Sequence, residues 1–275
     1  MFKIKPGLSL TSITNGIIPA DIEVLRNTCF ESFEIFPDVF AHDHDYALHR
    51  EFMQMLKSAG KQVAAYHMPF YALDDISNVN EDFRRRAIKR YRALLQEVEF
   101  FEAKILVIHP SSEPIDQSRR HEHIDNLRNS LRELEPDLNN RNLRVAIEIL
   151  PRKCLGNSLA DIEAILHGLS NTFGCCLDVN HLMNNYAELP DIVRKLGAKI
   201  YNLHISDYDG VDEKHWLPFS GVINWPAFLH ALKQINYQGP FNYELKSHTE
   251  LPAADWLAAI ESNIQRMNMI LKQDN

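Results

Sequence analysis

Eight short apolar runs alternate with amphipathic stretches along this chain. Six of the runs end in a side chain of the metal-binding kind: His67, His109, Glu148, Asp178, His204 and Glu244. Short runs rich in Val, Ile, Leu and aromatic residues suit parallel strands buried on both faces. Strand-then-helix units repeated eight times can close into a barrel, whose strands present their carboxyl-terminal residues to one shared rim. That recurrence constrains the fold more tightly than any other feature, and it places the polar strand ends together.

The runs predict strands over Leu8–Ile13, Cys29–Ile35, Val63–His67, Ile105–His109, Val145–Leu150, Gly174–Asp178, Ile200–Ile205 and Phe241–Leu245. Three- and four-residue spacing of apolar positions predicts helices over Asp45–Ala59, stopped by Gly60, and over Asn80–Phe101, with Asn80 as cap. Others are expected over Ile124–Leu138, from Ser158, and over Glu188–Leu196, Trp225–Ile235 and Ala253–Leu271. Pro136 falls inside its pattern, so that helix should kink or end just before it. The expected class is α/β, a (β/α)8 TIM barrel forming a single domain over residues 1–275. A length of 275 residues agrees with barrels of about 250. An open nucleotide-binding sheet should show a glycine-rich loop after an early strand, and Thr14-Asn15-Gly16 has none.

A formal net charge of −8 argues against a general nucleic-acid binder, which needs a basic footprint. No apolar run is long enough to span a membrane. Met1 to Leu10 holds Lys3, Lys5 and Pro6 and reads as no secretory signal, so a cytoplasmic location is the default expectation. Cys29, Cys154, Cys175 and Cys176 fit neither a zinc knuckle nor a disulfide framework and are expected to be buried small hydrophobes.

Strand parity sharpens the rim. Residues two apart share a face, so Ala146 lies behind Glu148 and Cys176 behind Asp178, small side chains suited to a crowded barrel interior. Tyr243 and Leu245, and likewise Leu203 and Ile205, should face the helices. Three carboxylates ending apolar strands cannot converge unpaired without raised pKa values or a cation between them. A metal satisfies Glu148, Asp178 and Glu244, and His204 adds a neutral nitrogen.

Four segments carry a family resemblance: Ala146-Ile147-Glu148-Ile149-Leu150-Pro151-Arg152, Leu177-Asp178-Val179-Asn180-His181, Leu203-His204-Ile205-Ser206-Asp207 and Tyr243-Glu244-Leu245-Lys246. With them the chain resembles, over nearly its whole length, the xylose-isomerase-like barrels, which include sugar isomerases, ketose 3-epimerases and apurinic endonucleases. The resemblance implies one divalent ion (Mn, Zn, Mg or Co) on Glu148, Asp178, His204 and Glu244. Glu148 and Glu244 double as catalytic base and acid on opposite faces of a keto-sugar. Proton loss beside the carbonyl gives a metal-stabilised enediolate, and redelivery gives epimerisation or isomerisation.

The same resemblance assigns substrate contacts to His67, His109 and His181, with a second metal at His67 and His109 as the alternative. Arg152, Lys246, Trp216 and Phe219 complete the expected substrate-binding set, Phe219 standing where relatives carry a glycine and so able to close over the substrate. Glu213-x-His215 replaces the Asp-x-His pair of the endonucleases. The leading expectation is a metal-dependent isomerase or epimerase of a sugar or polyol-derived keto compound. The alternatives are a dehydratase or lyase on a keto-inositol or keto acid and, behind it, a zinc phosphodiesterase. Acidic charge, the imperfect pair and short loops after the strands weigh against the last. A small sugar-like substrate, no nucleic acid and no membrane are the expected partners, and a homodimer is compatible with the resemblance.

Overall fold

The structure, a computed structural model, describes residues 2–14, 16–40, 46–246 and 251–273. Eight strands form a closed parallel barrel in chain order: β1 (Pro6–Ser9), β2 (Ser32–Ile35), β3 (Gln62–His67), β4 (Ile105–Ile108), β5 (Arg144–Glu148), β6 (Phe173–Asp178), β7 (Ile200–Ile205) and β8 (Phe241–Tyr243). Eight helices surround it: α1 (Pro19–Arg26), α2 (Tyr46–Ala59), α3 (Glu81–Phe100), α4 (Arg120–Asn139), α5 (Leu159–Leu166), α6 (Leu189–Leu196), α7 (Trp225–Gln234) and α8 (Ala253–Gln273). No helix among the described residues is long and apolar enough to cross a membrane.

The barrel separates two packed zones. Outward residues such as Ile147, Cys175, Leu203 and Tyr243 join one large core with the helices. Inside, Ala65, Ile105, Val107, Ala146, Cys176 and Tyr201 make a smaller cluster. The two-residue period of a strand sets Ala65 below His67, Val107 below His109, Ala146 below Glu148 and Cys176 below Asp178. Adjacent Cys175 and Cys176 thus belong to different zones. Small side chains on this inner layer leave room above it for polar strand ends.

Local chemistry explains the boundaries. Asn80 Oδ1 accepts from the amides of Asp82 and Phe83, capping α3, and Ser158 caps α5 through the Asp161 amide. Pro190 sits in the first turn of α6.

Other expectations need correction. Leu10–Ser12 leaves the first strand for a 3-10 turn, and Cys29 to Glu31 precede β2. Helix α4 continues through Pro136 to Asn139. The ring lies on the exposed face near the end of the helix, where the carbonyl that loses its intrahelical partner meets water. The expected helix start at Asp45 lies outside the described residues. Helix α1 had no counterpart in the sequence reading. Cys29 is exposed, whereas the other three cysteines are buried. The loops after the strands are not uniformly short, for residues 68–80 link β3 to α3 and 206–224 link β7 to α7.

Candidate metal and substrate site

Four consecutive strands deliver the carboxyl-end cluster. One oxygen or ring nitrogen from each of Glu148, Asp178, His204 and Glu244 lies within 4.8 Å of all the others. His204 Nδ1 stands 3.2 Å from Glu148 Oε1, 2.9 Å from Glu244 Oε2 and 3.9 Å from Asp178 Oδ2. Glu148, Asp178 and His204 are buried, and Glu244 is partly so.

The donor set fits a divalent cation on the structure's own terms. Asp178 Oδ1 accepts from the Asn180 amide at 2.7 Å, while the buried Oδ2 takes no hydrogen bond from any described residue. His181 Nδ1 stands 3.2 Å from that oxygen without hydrogen-bond geometry, and a cation there would offset the remaining cost of burying it. Three carboxylates and one imidazole suit Mn, Mg, Co or Zn.

Charges in the cluster are strongly perturbed. Burial, joined by nearby Glu244, raises the Asp178 pKa to about 6 against the pull of His181, His215 and His204. Burial also disfavours ionised Glu244, but His204 outweighs it and holds the pKa at about 2. Glu148 is buried too, yet His109 and His204 keep it well below the usual carboxylate range. Burial opposes charge on the His204 ring. Cys176, Glu244, Glu34 and Glu148 around it nevertheless hold its pKa well above the ordinary value.

Glu148 faces two ways. Its Oε1 meets His204, whereas Oε2 lies 3.1 Å from His67 Nε2 and 3.2 Å from His109 Nε2. His67, His109 and Glu148 make a second group of potential ligands, and Asp178, His181 and His215 a third. His181 Nδ1 also meets the Ile149 carbonyl at 2.9 Å, and its Nε2 lies 3.0 Å from Glu213 Oε2. That ring is buried, but Asp178, Glu213 and Glu148 raise its pKa to about 10.

Above the cluster opens a cavity of about 1380 Å³, lined by His67, His109, His181, Arg152, Trp216 and Lys246, among others. Arg152, at φ +53°, is already occupied. Nε and Nη2 donate to Glu113, and Nη1 donates to Asp212 at 2.9 Å and Glu213 at 3.0 Å. Phe70 and Tyr71 also line the cavity, whereas Tyr66 and Tyr208 are fully buried.

Phe219 departs from its expected role. With φ at +72° its amide turns to Asp207 Oδ2, and its ring packs 3.7 Å from the Arg266 guanidinium and 5.9 Å from Trp225. It does not line the cavity. The position that reads as a glycine replacement is a loop turn whose ring faces the helices.

Two acidic residues escaped the sequence reading. Glu34 on β2 is fully buried, with Oε1 3.0 Å from His204 Nε2 and Oε2 accepting from Asn202 Nδ2 at 2.8 Å. An acid between Phe33 and Ile35 in a buried strand was the available signal. Glu113, which meets Arg152 from a loop 39 residues earlier, had no local signal.

Residues 22–268 match the family described as "Xylose isomerase-like TIM barrel". A Methanocaldococcus jannaschii protein, MJ1311, is 26% identical over 187 residues, 66% of this chain and 64% of that protein, so the match spans less than two thirds of that relative. The fold superposes on a D-tagatose 3-epimerase-like protein with a TM-score of 0.80 at 22% identity, covering 98% of this chain and 100% of the other. It also superposes on D-psicose 3-epimerase from Clostridium cellulolyticum H10, with a TM-score of 0.81 at 17% identity over 98% and 99% of the two chains.

Proposed function

Since the chain belongs to the xylose isomerase-like TIM-barrel family, we propose that it is a divalent-metal-dependent isomerase or epimerase acting on a sugar or polyol-derived keto compound. The observation that carries this reading is the convergence of Glu148, Asp178, His204 and Glu244, from four successive strands, within 4.8 Å. The 3-epimerase names of the similar structures agree with it.

Those four residues would hold the cation, which supplies Lewis-acid polarisation of a carbonyl and its neighbouring hydroxyl. The protein does the rest. Glu148 and Glu244 approach His204 Nδ1 from two sides, at 3.2 and 2.9 Å. Both are held ionised, so either can take the proton beside the carbonyl. For epimerisation the other, after taking a proton from solvent, delivers it to the opposite face while the first gives its own up to solvent; for isomerisation the first carboxylate returns its proton to the neighbouring carbon. His109 and Lys246, which line the cavity, would bind hydroxyl oxygens, joined by His67 and His181 where substrate displaces the contacts their ring nitrogens already make. Departure of a leaving group after the same first step would give the dehydratase or lyase outcome. The soluble-enzyme setting in the cytoplasm and a homodimeric assembly belong to the same proposal.

A second reading has its own observation. The groups His67–His109–Glu148 and Asp178–His181–His215 adjoin the quartet through shared carboxylates, as a multi-zinc phosphodiesterase site would require. Arg152 and Lys214 near the mouth are both ion-paired, which leaves little basic surface for a phosphate backbone.

The test is solvent exchange. Metal-loaded protein incubated in D2O with a panel of ketoses should place deuterium on the carbon beside the carbonyl, seen by NMR, and Glu244→Gln should stop it. A metal-loaded protein that exchanges no ketose hydrogen, while releasing phosphate-ester product from abasic DNA, would replace the first reading with the second.

A further inference from the structure

From the outer half of the cavity we infer a second sugar subsite. The substrate is a keto-sugar bearing another sugar ring, whose far ring stacks on the outer face of Tyr71, with Phe70 as the rung beneath it. This rests on the keto-sugar reading above and extends it to substrate size.

Aromatic rings climb from the ligand cluster to the mouth. His109, 3.2 Å from Glu148, stacks against Phe70 with centroids 4.4 Å apart and planes at 17°. Phe70 in turn stacks on Tyr71 at 5.5 Å and 26°. Phe36 supports the lower rungs, stacked at 4.2 Å on His67 and edge-on to Phe70. Both upper rings are open to the cavity, since Phe70 is 40% and Tyr71 61% exposed. Other rings are as exposed, Tyr46 and Phe83 among them, but Phe70 and Tyr71 are adjacent, stacked and on the wall of the cavity.

Size points the same way. Pockets for small ligands typically enclose about 300–1,000 Å³, and this cavity of about 1380 Å³ exceeds the needs of one monosaccharide. A pyranose shows an apolar C–H face to an aromatic ring and a rim of hydroxyls at its edge. Glu113, Arg152 and Glu213 line the same cavity and offer acceptors and donors for that rim. The reacting carbonyl end would lie at the quartet and the second ring along Phe70 and Tyr71, so the link between the rings belongs at the far end of the ketose.

Calorimetric titration of the manganese-loaded protein tests this, with D-fructose against isomaltulose, turanose and lactulose, three disaccharides that retain a ketose unit. Isomaltulose, linked at the far end of its ketose, should bind about tenfold tighter than fructose, and turanose, linked beside the carbonyl, should gain nothing. In Phe70→Ala and Tyr71→Ala proteins of unchanged Tm and metal content, that preference ratio should collapse toward one. Fructose binding as tightly as isomaltulose, or a preference untouched by both substitutions, overturns the second subsite and leaves the keto-sugar reading standing. Failure of all four sugars to bind metal-loaded protein rejects both together.

Discussion

Glu34 and His204 meet inside the barrel, with Oε1 and Oε2 of the carboxylate 3.0 and 3.2 Å from Nε2 of the ring. Donation from Nε2 turns Nδ1 toward Glu148, Asp178 and Glu244, where its lone pair becomes available once the ring gives up its second proton. A carboxylate behind a ligating histidine fixes its tautomer and orientation, and loss of such partners typically costs about 10–100-fold in metal affinity. Glu34→Gln should therefore weaken Mn binding by roughly that range, read by calorimetry, while preserving the fold. Unchanged affinity would show that barrel packing alone orients His204.

Metal uptake should depend on pH. The cation needs ionised Asp178, whose pKa is lifted to about 6 chiefly by burial. A proton competes as pH falls through that value, so affinity should drop most steeply below about pH 6 and keep rising more gently above it, while His204 still has a proton to lose. His204, held protonated by its acidic neighbours, must also release its proton to bind through Nδ1. Titrations at pH 7 in buffers of different ionisation enthalpy should reveal that release. A flat affinity between pH 5 and 7, on the order of the shift in question, would contradict the arrangement.

Arg152 fastens loops from three different βα units, through Glu113, Asp212 and Glu213. Its fork serves several oxygens at once, which a lysine cannot do. Arg152→Lys should accelerate amide hydrogen exchange over residues 109–116 and 209–217. The Tm should fall by only a few degrees, because exposed ion pairs contribute little stability. Exchange limited to residue 152 and its neighbours would show that the loops hold their places independently.

Asp207 is a buried anchor for the long loop before α7. Its carboxylate accepts from the amides of Tyr208, Phe219 and Ile223 and from Trp225 Nε1, at 2.9 to 3.2 Å. Gly221 lies so close that a Cβ there would collide with the Tyr208 carbonyl and this carboxylate. Asp207→Ala strands four buried or half-buried donors and should destabilise the protein by about 3–5 kcal/mol. Chemical denaturation would measure the loss. A change below about 1 kcal/mol would mean that water replaces the carboxylate.

Sequence pattern reached furthest where burial was two-sided. Strand β7 was legible to the residue, since Ile200 to Ile205 is buried throughout; His67, Glu148 and Asp178 end their strands as read, whereas His109 and Glu244 fall one residue past theirs. Helix α1, eight residues that bury just Ile22 and Leu25, was not legible because Ile18 stands at its start, whereas α5, equally short, announces itself with the Ser158 cap. Pro19 in its first turn was the remaining cue. The Arg152 cluster is formed by residues 39 to 61 positions apart, meeting across loops whose paths no local pattern encodes. Phe219 misled because a positive φ, invisible in the sequence, decides which way its ring points.

Glu148 has one oxygen toward His204 and the other toward His67 and His109, and a carboxylate is rigid. Turning it to improve one side withdraws it from the other. Occupants of the two sides would sense each other through this single torsion, with no loop or helix needing to move, and by linkage the influence would run equally in both directions.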